Sequence, residues 1–294
     1  MRIYLHEAGG APAVGREEKG DGRPVILAAV VVEFFVVVAF ALAAVLLNTI
    51  DARGFLASTT VGFAVMYGGG FSWFVIVAVF FSLGVVFTLY KYGYKRRLGS
   101  AQGKGGARNW PHILANGGLA SLAAIWNLAS PGVVPAVVFL GAVSTSAADT
   151  VATELGLLSH SQPMLITHPS REVTPGTSGG VTALGFMGSA FASLVIGMMA
   201  LALGILPDPY LILPVSLVGG VFGAAFDSLV GATVQRKGYC VVCLKPTEAL
   251  RHCGEKTKAT QGKWYIENNI VNVVSTFAGA AAAYATLLAL APLI

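Results

Sequence analysis

Long apolar runs alternate with short polar connections along most of the chain. A helix that crosses a bilayer needs roughly 20 mainly apolar residues, and Phe55–Met66 is too short to be more than a minimal span or a half-span. The pattern predicts an all-α, polytopic transmembrane bundle of about eight helices, or seven if Phe55–Met66 is re-entrant. The longer runs are Val25–Leu47, Phe71–Tyr90, Ile113–Leu128, Val133–Ala148, Val181–Leu206, Tyr210–Gln235 and Ile270–Leu290.

The composition agrees with a membrane protein. Of the 294 residues, 55% are hydrophobic and only 11% are charged, values that exclude an ordinary soluble domain. The 36 glycines suit helices that pack through faces of small residues. Residues 1–24 form a polar N-terminal segment that matches neither a secretory signal nor a Ser-rich transit peptide. Residues 25–294 form a single transmembrane domain.

Basic residues collect in two connections and thereby predict the orientation. Lys91–Arg108 contains six basic residues and no acid, and Arg236–Lys263 contains seven basic residues against two acids. Because positive loops stay in the cytoplasm, loops 91–110, 150–178 and 236–267 are predicted to be cytoplasmic. The polar residues then lie at one membrane face. This placement favours an enzyme over a carrier, because carriers usually have their polar sites near the bilayer midplane.

Asp149 and Glu154 stand at the end of a predicted span, where a charge is costly and usually functional. In a helix, Ser146, Asp149 and Thr153 share one face. Asp227 lies in a second predicted span, on a face of residues spaced four apart. The other members of that face are Gly219, Gly223, Gly231 and Gln235.

Three carboxylates at one membrane surface are a plausible set of ligands for Mg²⁺, which prefers one or two carboxylates plus phosphate oxygens. The set is Asp149, Glu154 and Asp227. Helix capping and solvation at the interface explain Asp149 and Glu154 about as well. For Asp227, a packing helix with a hydrogen-bonded aspartate is the competing interpretation.

Several other residues are candidates for binding phosphate. A Pro-Gly-Thr-Ser-Gly-Gly loop precedes a helix, and such loops offer backbone N–H groups to phosphate oxygens, although an ordinary flexible loop has the same composition. A basic residue could grip a phosphate in bidentate fashion or simply anchor the chain at the membrane. Buried amides could orient a phosphate or join helices. The candidates are Gly176, Thr177, Ser178, Gly179, Arg108, Asn116, Asn268 and Asn272.

The three cysteines lie close together in the sequence, between residues 240 and 253. Cys240 and Cys243 form a CxxC pair, and His252-Cys253 follows. Zinc takes four nitrogen or sulfur ligands, and CxxC supplies two of them well. The pattern predicts either a small structural zinc site or a cluster of reduced thiols.

Several of these sequence motifs, taken together, resemble the DUF92 integral membrane family, which includes the phytyl-phosphate kinases of plants and cyanobacteria. The resemblance runs from about Leu47 to the C-terminus. The family resembles a wider group of membrane CTP-transferases that includes dolichol kinase. The matching segments are Leu114-Ala-Asn-Gly-Gly118, Ser146-Ala-Ala-Asp-Thr150 with Glu154-Leu-Gly156, Pro175-Gly-Thr-Ser-Gly-Gly180, Phe226–Thr233 and His252-Cys-Gly254.

The resemblance implies a cytoplasm-facing or stroma-facing site, a divalent metal (Mg²⁺ or Mn²⁺) and CTP or another nucleoside triphosphate as donor. It further implies a chloroplast membrane if the source is a plant or alga. One departure is Asn268-Asn269 where the family has Asn-Asp.

The function predicted on these grounds is a prenyl-phosphate kinase of tocopherol biosynthesis. It transfers a phosphoryl group to a phytyl- or geranylgeranyl-type monophosphate, with the metal at Asp149, Glu154 and Asp227. The partners are the nucleotide, the isoprenyl phosphate and the membrane, with no nucleic acid. The alternatives are a cytidylyltransferase that makes a CDP-lipid and a transporter of lipid phosphates.

Overall fold

The all-α prediction is confirmed by the computed structural model, which describes residues 23–98, 104–244 and 246–293. The predicted polar segment 1–24 falls almost entirely outside these residues. Five of the described helices are long and apolar enough to cross a membrane: α2, α5, α6, α7 and α8. The helices are α1 (Arg23–Leu46), α2 (Ala52–Leu89), α3 (Tyr92–Arg97), α4 (Trp110–Ala129), α5 (Val133–Gly156), α6 (Ala183–Ala202), α7 (Pro209–Thr233) and α8 (Asn268–Leu290).

α2 is a helical hairpin, which explains the short predicted segment Phe55–Met66. Its backbone leaves helical geometry at Gly70, where φ is 79°. A straight helix would separate Gly54 from Gly84 by about 45 Å, yet both glycines lie against Arg108. The chain therefore reverses at Gly70. The first arm, residues 52–69, is about 27 Å long, so it nearly crosses the bilayer and is counted as a span.

α4 and α5 are longer than their apolar runs predict. α5 continues eight residues beyond Ala148 to Gly156. Its polar side chains bond back to the helix: Thr145 Oγ1 donates to the Gly141 carbonyl at 2.7 Å, and Thr150 Oγ1 to the Ser146 carbonyl at 2.8 Å. Hydroxyls satisfied in this way are compatible with a buried helix. The apolar run therefore predicts a helix that is shorter than the observed one.

α5 is the central helix of the bundle. It is largely buried and packs against α2, α4, α6, α7 and α8. Its core side chains Phe139, Leu140 and Val143 belong to the same buried apolar cluster as Ile196 of α6 and Ile212 of α7. α5 is thus surrounded by five other helices, which hold it in place.

The polar connections at one end of the bundle contain short strands that the apolar pattern does not predict. Backbone groups outside the bilayer still need hydrogen-bond partners, and the two longest connections satisfy them with local antiparallel pairs. One sheet has the order β2-β1-β3, a second has the order β5-β4-β8, and β6 and β7 form a hairpin. The strands are β1 (Met164–Leu165), β2 (His168–Glu172), β3 (Gly180–Val181), β4 (Lys237–Tyr239), β5 (Pro246–Thr247), β6 (Arg251–His252), β7 (Glu255–Lys256) and β8 (Lys258–Gln261).

The tip of the α2 hairpin packs directly on α4. A Cβ added at Gly68 would overlap the backbone carbonyl of Ala124, whereas one added at Gly118 of α4 would meet nothing within 4 Å. We expect Gly68→Ala to destabilise the protein by about 1–3 kcal/mol, since overpacking displaces the backbone. Gly118→Ala is the matched control and should leave stability unchanged or raise it. Thermal unfolding in detergent measures both, and equal melting temperatures would contradict the hairpin packing.

Candidate functional site

A cavity of about 200 Å³ lies at the end of the bundle that carries the short strands. Its walls come from the last turns of α5 and α7, the first turns of α6, the loop that precedes α6, and the start of α8. Asp149 and Asp227 both line it, as do Ser178 and Asn268. Residues separated by more than 100 positions in the sequence therefore meet at a single site.

Asp227 reaches the cavity because the glycine face of α7 lets the helix backbones approach closely. An added Cβ at Gly219 would lie 3.1 Å from Gly141 Cα of α5, and one at Gly223 would overlap the Thr145 side chain. Asp227, one turn further on, is half-buried, and its Oδ2 accepts a hydrogen bond from Ser275 Oγ of α8 at 3.0 Å. The glycines spaced four residues apart along α7 thus have the packing role predicted from the sequence.

The two aspartates are close enough for their negative charges to repel each other. Within the described part of the chain, the only ion pair joins Lys95 to Glu154, so neither aspartate has a basic partner. Two half-buried carboxylates that face one cavity without a counter-ion suit a divalent cation. This donor set fits Mg²⁺ or Mn²⁺, with the remaining coordination left for water and phosphate oxygens.

The loop before α6 presents its backbone to the cavity. Gly176 and Gly179 have φ of 86° and 82°, in the left-handed region that glycine favours. The turn is closed by hydrogen bonds from the Thr177 N–H to the Thr174 carbonyl at 3.0 Å and from the Gly180 N–H to the Thr177 carbonyl at 2.9 Å. Residues 175–182 line the cavity, so the predicted loop residues Gly176 to Gly179 share it with the aspartates.

The N-terminus of α6 also opens onto the cavity. Thr182 is its N-cap, and Thr182 Oγ1 accepts a hydrogen bond from the Gly185 N–H at 3.0 Å. A helix N-terminus carries a partial positive charge and favours anions. Close by, Asn268 lines the cavity and its Nδ2 donates to Asn272 Oδ1 at 3.3 Å. Asn272 is buried and supports Asn268 rather than facing the cavity.

Glu154 does not join the two aspartates, contrary to the predicted three-carboxylate set. Its Oε2 lies 2.6 Å from Lys95 Nζ, and its Oε1 accepts a hydrogen bond from Thr88 Oγ1 at 2.9 Å. Lys95 is fully buried. Asp149 and Glu154 are five residues apart, so they point about 140° away from each other around α5. Glu154 therefore neutralises a buried lysine on the opposite side of the helix.

Arg108 and Asn116 also lie away from the aspartates. They line a second, largely apolar cavity between α1, α2 and α4. The Arg108 guanidinium packs 5.2 Å from the centre of the Phe81 ring and its Nη1 donates to the Phe81 carbonyl. The Asn116 amide donates to the His112 carbonyl at 2.9 Å. Arg108 thus attaches the segment before α4 to α2. The Asn116 side-chain bond stays within α4, and only the Asn116 backbone carbonyl reaches another helix, where it accepts from Ser146 Oγ of α5 at 2.9 Å.

The sequence analysis missed Glu248. This carboxylate follows β5 and lines the cavity beside Asp149 and Asp227. It accepts hydrogen bonds from Ser178 Oγ of the loop before α6 and from Gln235 Nε2, the latter at 2.7 Å. The only feature of the sequence that pointed to it was that Glu248 is one of just two acids in a strongly basic loop. Burial raises the pKa of the Glu248 carboxyl, and the bonds from Ser178 and Gln235 and the charge of Lys237 act in the opposite direction.

The predicted cysteine cluster is brought together, outside the cavity. Sγ atoms of Cys240, Cys243 and Cys253 and a ring nitrogen of His252 all lie within 4.8 Å of one another. They belong to the same connection that carries Glu248, between α7 and α8.

The fold and the site define a multi-pass helical membrane protein with a carboxylate-lined polar cavity at one end of its bundle. The chain belongs to the DUF92 family of integral membrane proteins, whose model matches residues 35–280. This confirms the resemblance seen in the sequence.

Two relatives match over most of their own length. The chain is 31% identical over 254 residues to Protein PGR of Arabidopsis thaliana, a match that covers 78% of this chain and 85% of that protein. It is 32% identical over 190 residues to Uncharacterized membrane protein MJ0933 of Methanocaldococcus jannaschii, covering 64% and 76% respectively. No solved structure gives a significant match.

The buried pair of Lys95 and Glu154 yields a stability prediction. Lys95→Met should destabilise the protein by about 3–5 kcal/mol, because it leaves Glu154 buried without a counter-charge. The double variant Lys95→Met with Glu154→Gln should recover much of that loss. Arg97→Met, on the same short helix but exposed, is the control. Unfolding in detergent measures all three, and a double variant no more stable than Lys95→Met would count against the pairing.

Glu248 yields a prediction about pH. Its folded-state pKa is raised above the ordinary 4.5, so its contribution to stability is complete below that value and is lost as pH rises through the folded pKa. Asp227 and Lys237 are the charged groups that act on it. As pH rises above 4.5, the melting temperature of wild type, without divalent metal, should therefore fall more than that of Glu248→Gln. Glu255→Gln, at an exposed position in β7, should follow wild type. Melting temperatures that change with pH by the same amount in wild type and Glu248→Gln would refute the prediction.

Proposed function

We propose that this protein is a membrane prenyl-phosphate kinase. It transfers the γ-phosphoryl group of CTP or another nucleoside triphosphate to a phytyl- or geranylgeranyl-type monophosphate. The observation that carries the proposal is the single cavity shared by Asp149, Asp227 and the backbone of the Gly176–Gly180 loop. A kinase needs carboxylates for a metal and N–H donors for phosphates, and this cavity offers both.

The donor phosphates bind along the loop and the first turn of α6. Gly176 lets the backbone approach a phosphate closely, and the Thr177 hydroxyl adds a donor. Ser178 donates its hydroxyl hydrogen to Glu248, and Gly179 lets the loop pack against Ala232 of α7. Asn268 faces the same space from α8. These groups orient the nucleotide, and positioning of this kind accounts for a large share of catalysis in phosphoryl transfer.

Asp149 and Asp227 would hold Mg²⁺ or Mn²⁺, and the ion would neutralise negative charge on the phosphates. An oxygen of the prenyl monophosphate attacks the γ-phosphorus, the bond between that phosphorus and the β,γ-bridging oxygen breaks, and the nucleoside diphosphate leaves. The products are the prenyl diphosphate and, from CTP, CDP. The attacking oxygen is already charged, so no strong general base is needed.

The lipid substrate reaches the cavity from the side of the bundle. Phe186 of α6 lines the cavity and is 42% exposed, and Ala225 of α7 also lines it. A prenyl chain passing between α6 and α7 would stay in an apolar environment while its phosphate enters the polar cavity.

The site faces the cytoplasm, or the stroma in a chloroplast membrane. The basic connections that follow α2 and α7 are at the same end of the bundle as the cavity, and positive loops stay on that side. The soluble nucleotide is supplied from the same compartment. In a plant or alga, the proposed product would belong to tocopherol biosynthesis.

The decisive experiment is a kinase assay of the purified protein in lipid nanodiscs, with Mg²⁺, CTP or ATP, and phytyl or geranylgeranyl monophosphate. Wild type should form the diphosphate. Asp149→Asn and Asp227→Asn should each lower the rate at least about 100-fold, since each removes charge that stabilises the transition state. Asp208→Asn, an N-cap at the opposite end of the bundle, should retain full activity because asparagine caps as well as aspartate.

The products distinguish the proposal from its alternatives. Release of pyrophosphate with a CDP-lipid would identify a cytidylyltransferase, and flux of lipid phosphate across a vesicle without nucleotide would identify a transporter. Folded wild-type protein that forms no diphosphate from any of the donors would overturn the kinase proposal.

A further inference from the structure

We propose that Cys240, Cys243, His252 and Cys253 form a zinc site whose role is to hold Glu248 in the cavity wall. The cluster lies in the connection between α7 and α8, outside the cavity itself. Its four ligand atoms lie within 4.8 Å of one another. Zinc binding by these residues stands apart from the proposed kinase function, and only its consequence for Glu248 touches the same site.

The spacing of the ligand atoms fits tetrahedral zinc. Bond lengths of about 2.3 Å to sulfur and 2.0–2.1 Å to nitrogen imply a sulfur–nitrogen separation of about 3.5 Å in a tetrahedron. His252 Nδ1 lies 3.5 Å from Cys243 Sγ and 3.2 Å from Cys253 Sγ. Three sulfurs and one imidazole nitrogen are a usual set for a closed, structural zinc site.

The backbone prearranges the two halves of the site. In the first half, the Val242 N–H donates to Cys240 Sγ at 3.4 Å and the Leu244 N–H to the Cys240 carbonyl at 2.9 Å. Such a bond to sulfur favours the thiolate that a metal requires. In the second half, Cys253 and Gly254 have φ of 53° and 84° and form the turn of the β6–β7 hairpin. The left-handed conformation is unfavourable for cysteine, and a metal bond offsets that cost.

The surrounding charge agrees with an anionic centre. Arg251 of β6 pairs directly with Lys256 of β7, and like charges opposite each other destabilise a hairpin. Three thiolates with one Zn²⁺ carry a net charge of −1 next to this pair. Three neutral thiols would provide no compensation.

The zinc ligands enclose Glu248 in the sequence, since Cys243 precedes it by five residues and His252 follows it by four. Arg236 braces the same segment: its Nη1 donates to the carbonyls of Glu248 and Ala249 at 2.8 and 2.9 Å. A metal that ties the two ends of the segment together therefore fixes where Glu248 meets Ser178. Zinc acts here as a positioning element for the cavity wall and contacts no substrate.

The first test is the metal content of the full-length protein, purified in detergent without chelators. Wild type should contain about one zinc per chain, and Cys243→Ser and Cys253→Ser should each reduce it at least about fivefold. Cobalt(II) exchanged into wild type should give the visible absorption of a tetrahedral thiolate complex. Folded wild type without zinc, a disulfide among the three cysteines, or unchanged zinc in both variants would each overturn the site.

The second test concerns the coupling to Glu248, read by amide hydrogen exchange with and without a zinc chelator. Removal of zinc should increase exchange in residues 237–261 and also in the loop at residues 174–180, because Glu248 no longer holds Ser178. Glu248→Ala, which removes the acceptor of the Ser178 hydrogen bond, should mimic the loop effect while keeping its zinc. If the chelator changes residues 237–261 alone, zinc is structural but the positioning role is wrong. Neither test depends on kinase activity.

Discussion

The close approach of three backbones, those of α5, α7 and α8, is the constraint on which the site depends. Gly141, Gly219 and Gly279 meet where the helices cross, and a Cβ on any of them would press on a neighbouring helix. Dispersion contacts between closely packed helices are a main source of attraction inside a membrane. The same contact turns Asp227 toward Asp149, so the packing that holds the bundle together also assembles the two carboxylates.

Charge burial divides the three carboxylates predicted for the site into two groups. Glu154 is neutralised by a fully buried lysine and so supports the junction of α3 with α5. Asp149 and Asp227 have no such partner in the described chain and share a cavity. In a medium where an uncompensated charge is expensive, that difference separates a structural carboxylate from a pair suited to bind a cation. Glu248, held by Ser178 and Gln235, completes the polar wall from outside the bundle.

The described connections at the polar end are more ordered than their composition suggests. Lys237 Nζ donates to the Ser178 carbonyl at 2.9 Å, and Gln261 Nε2 donates to the Ala232 carbonyl at 2.9 Å. These bonds attach the α7–α8 connection to the loop before α6 and to the last turn of α7. The cavity is therefore closed by segments that lie outside the membrane, and their stability depends on side-chain bonds and, as we propose, on zinc.

The sequence by itself determined the helical class, the approximate spans, the glycine face that carries Asp227 and the CxxC-HC cluster, because these depend on composition and on short, regular spacings. Only the tertiary structure decided which polar residues share a cavity. Glu154 and Arg108 were assigned to the site wrongly, since nothing local to them reveals Lys95 or Phe81. Glu248 was missed because its neighbours, Ser178 and Gln235, lie 70 and 13 residues away. Partners of a buried charge are set by helix packing, and helix packing is a long-range property of the chain.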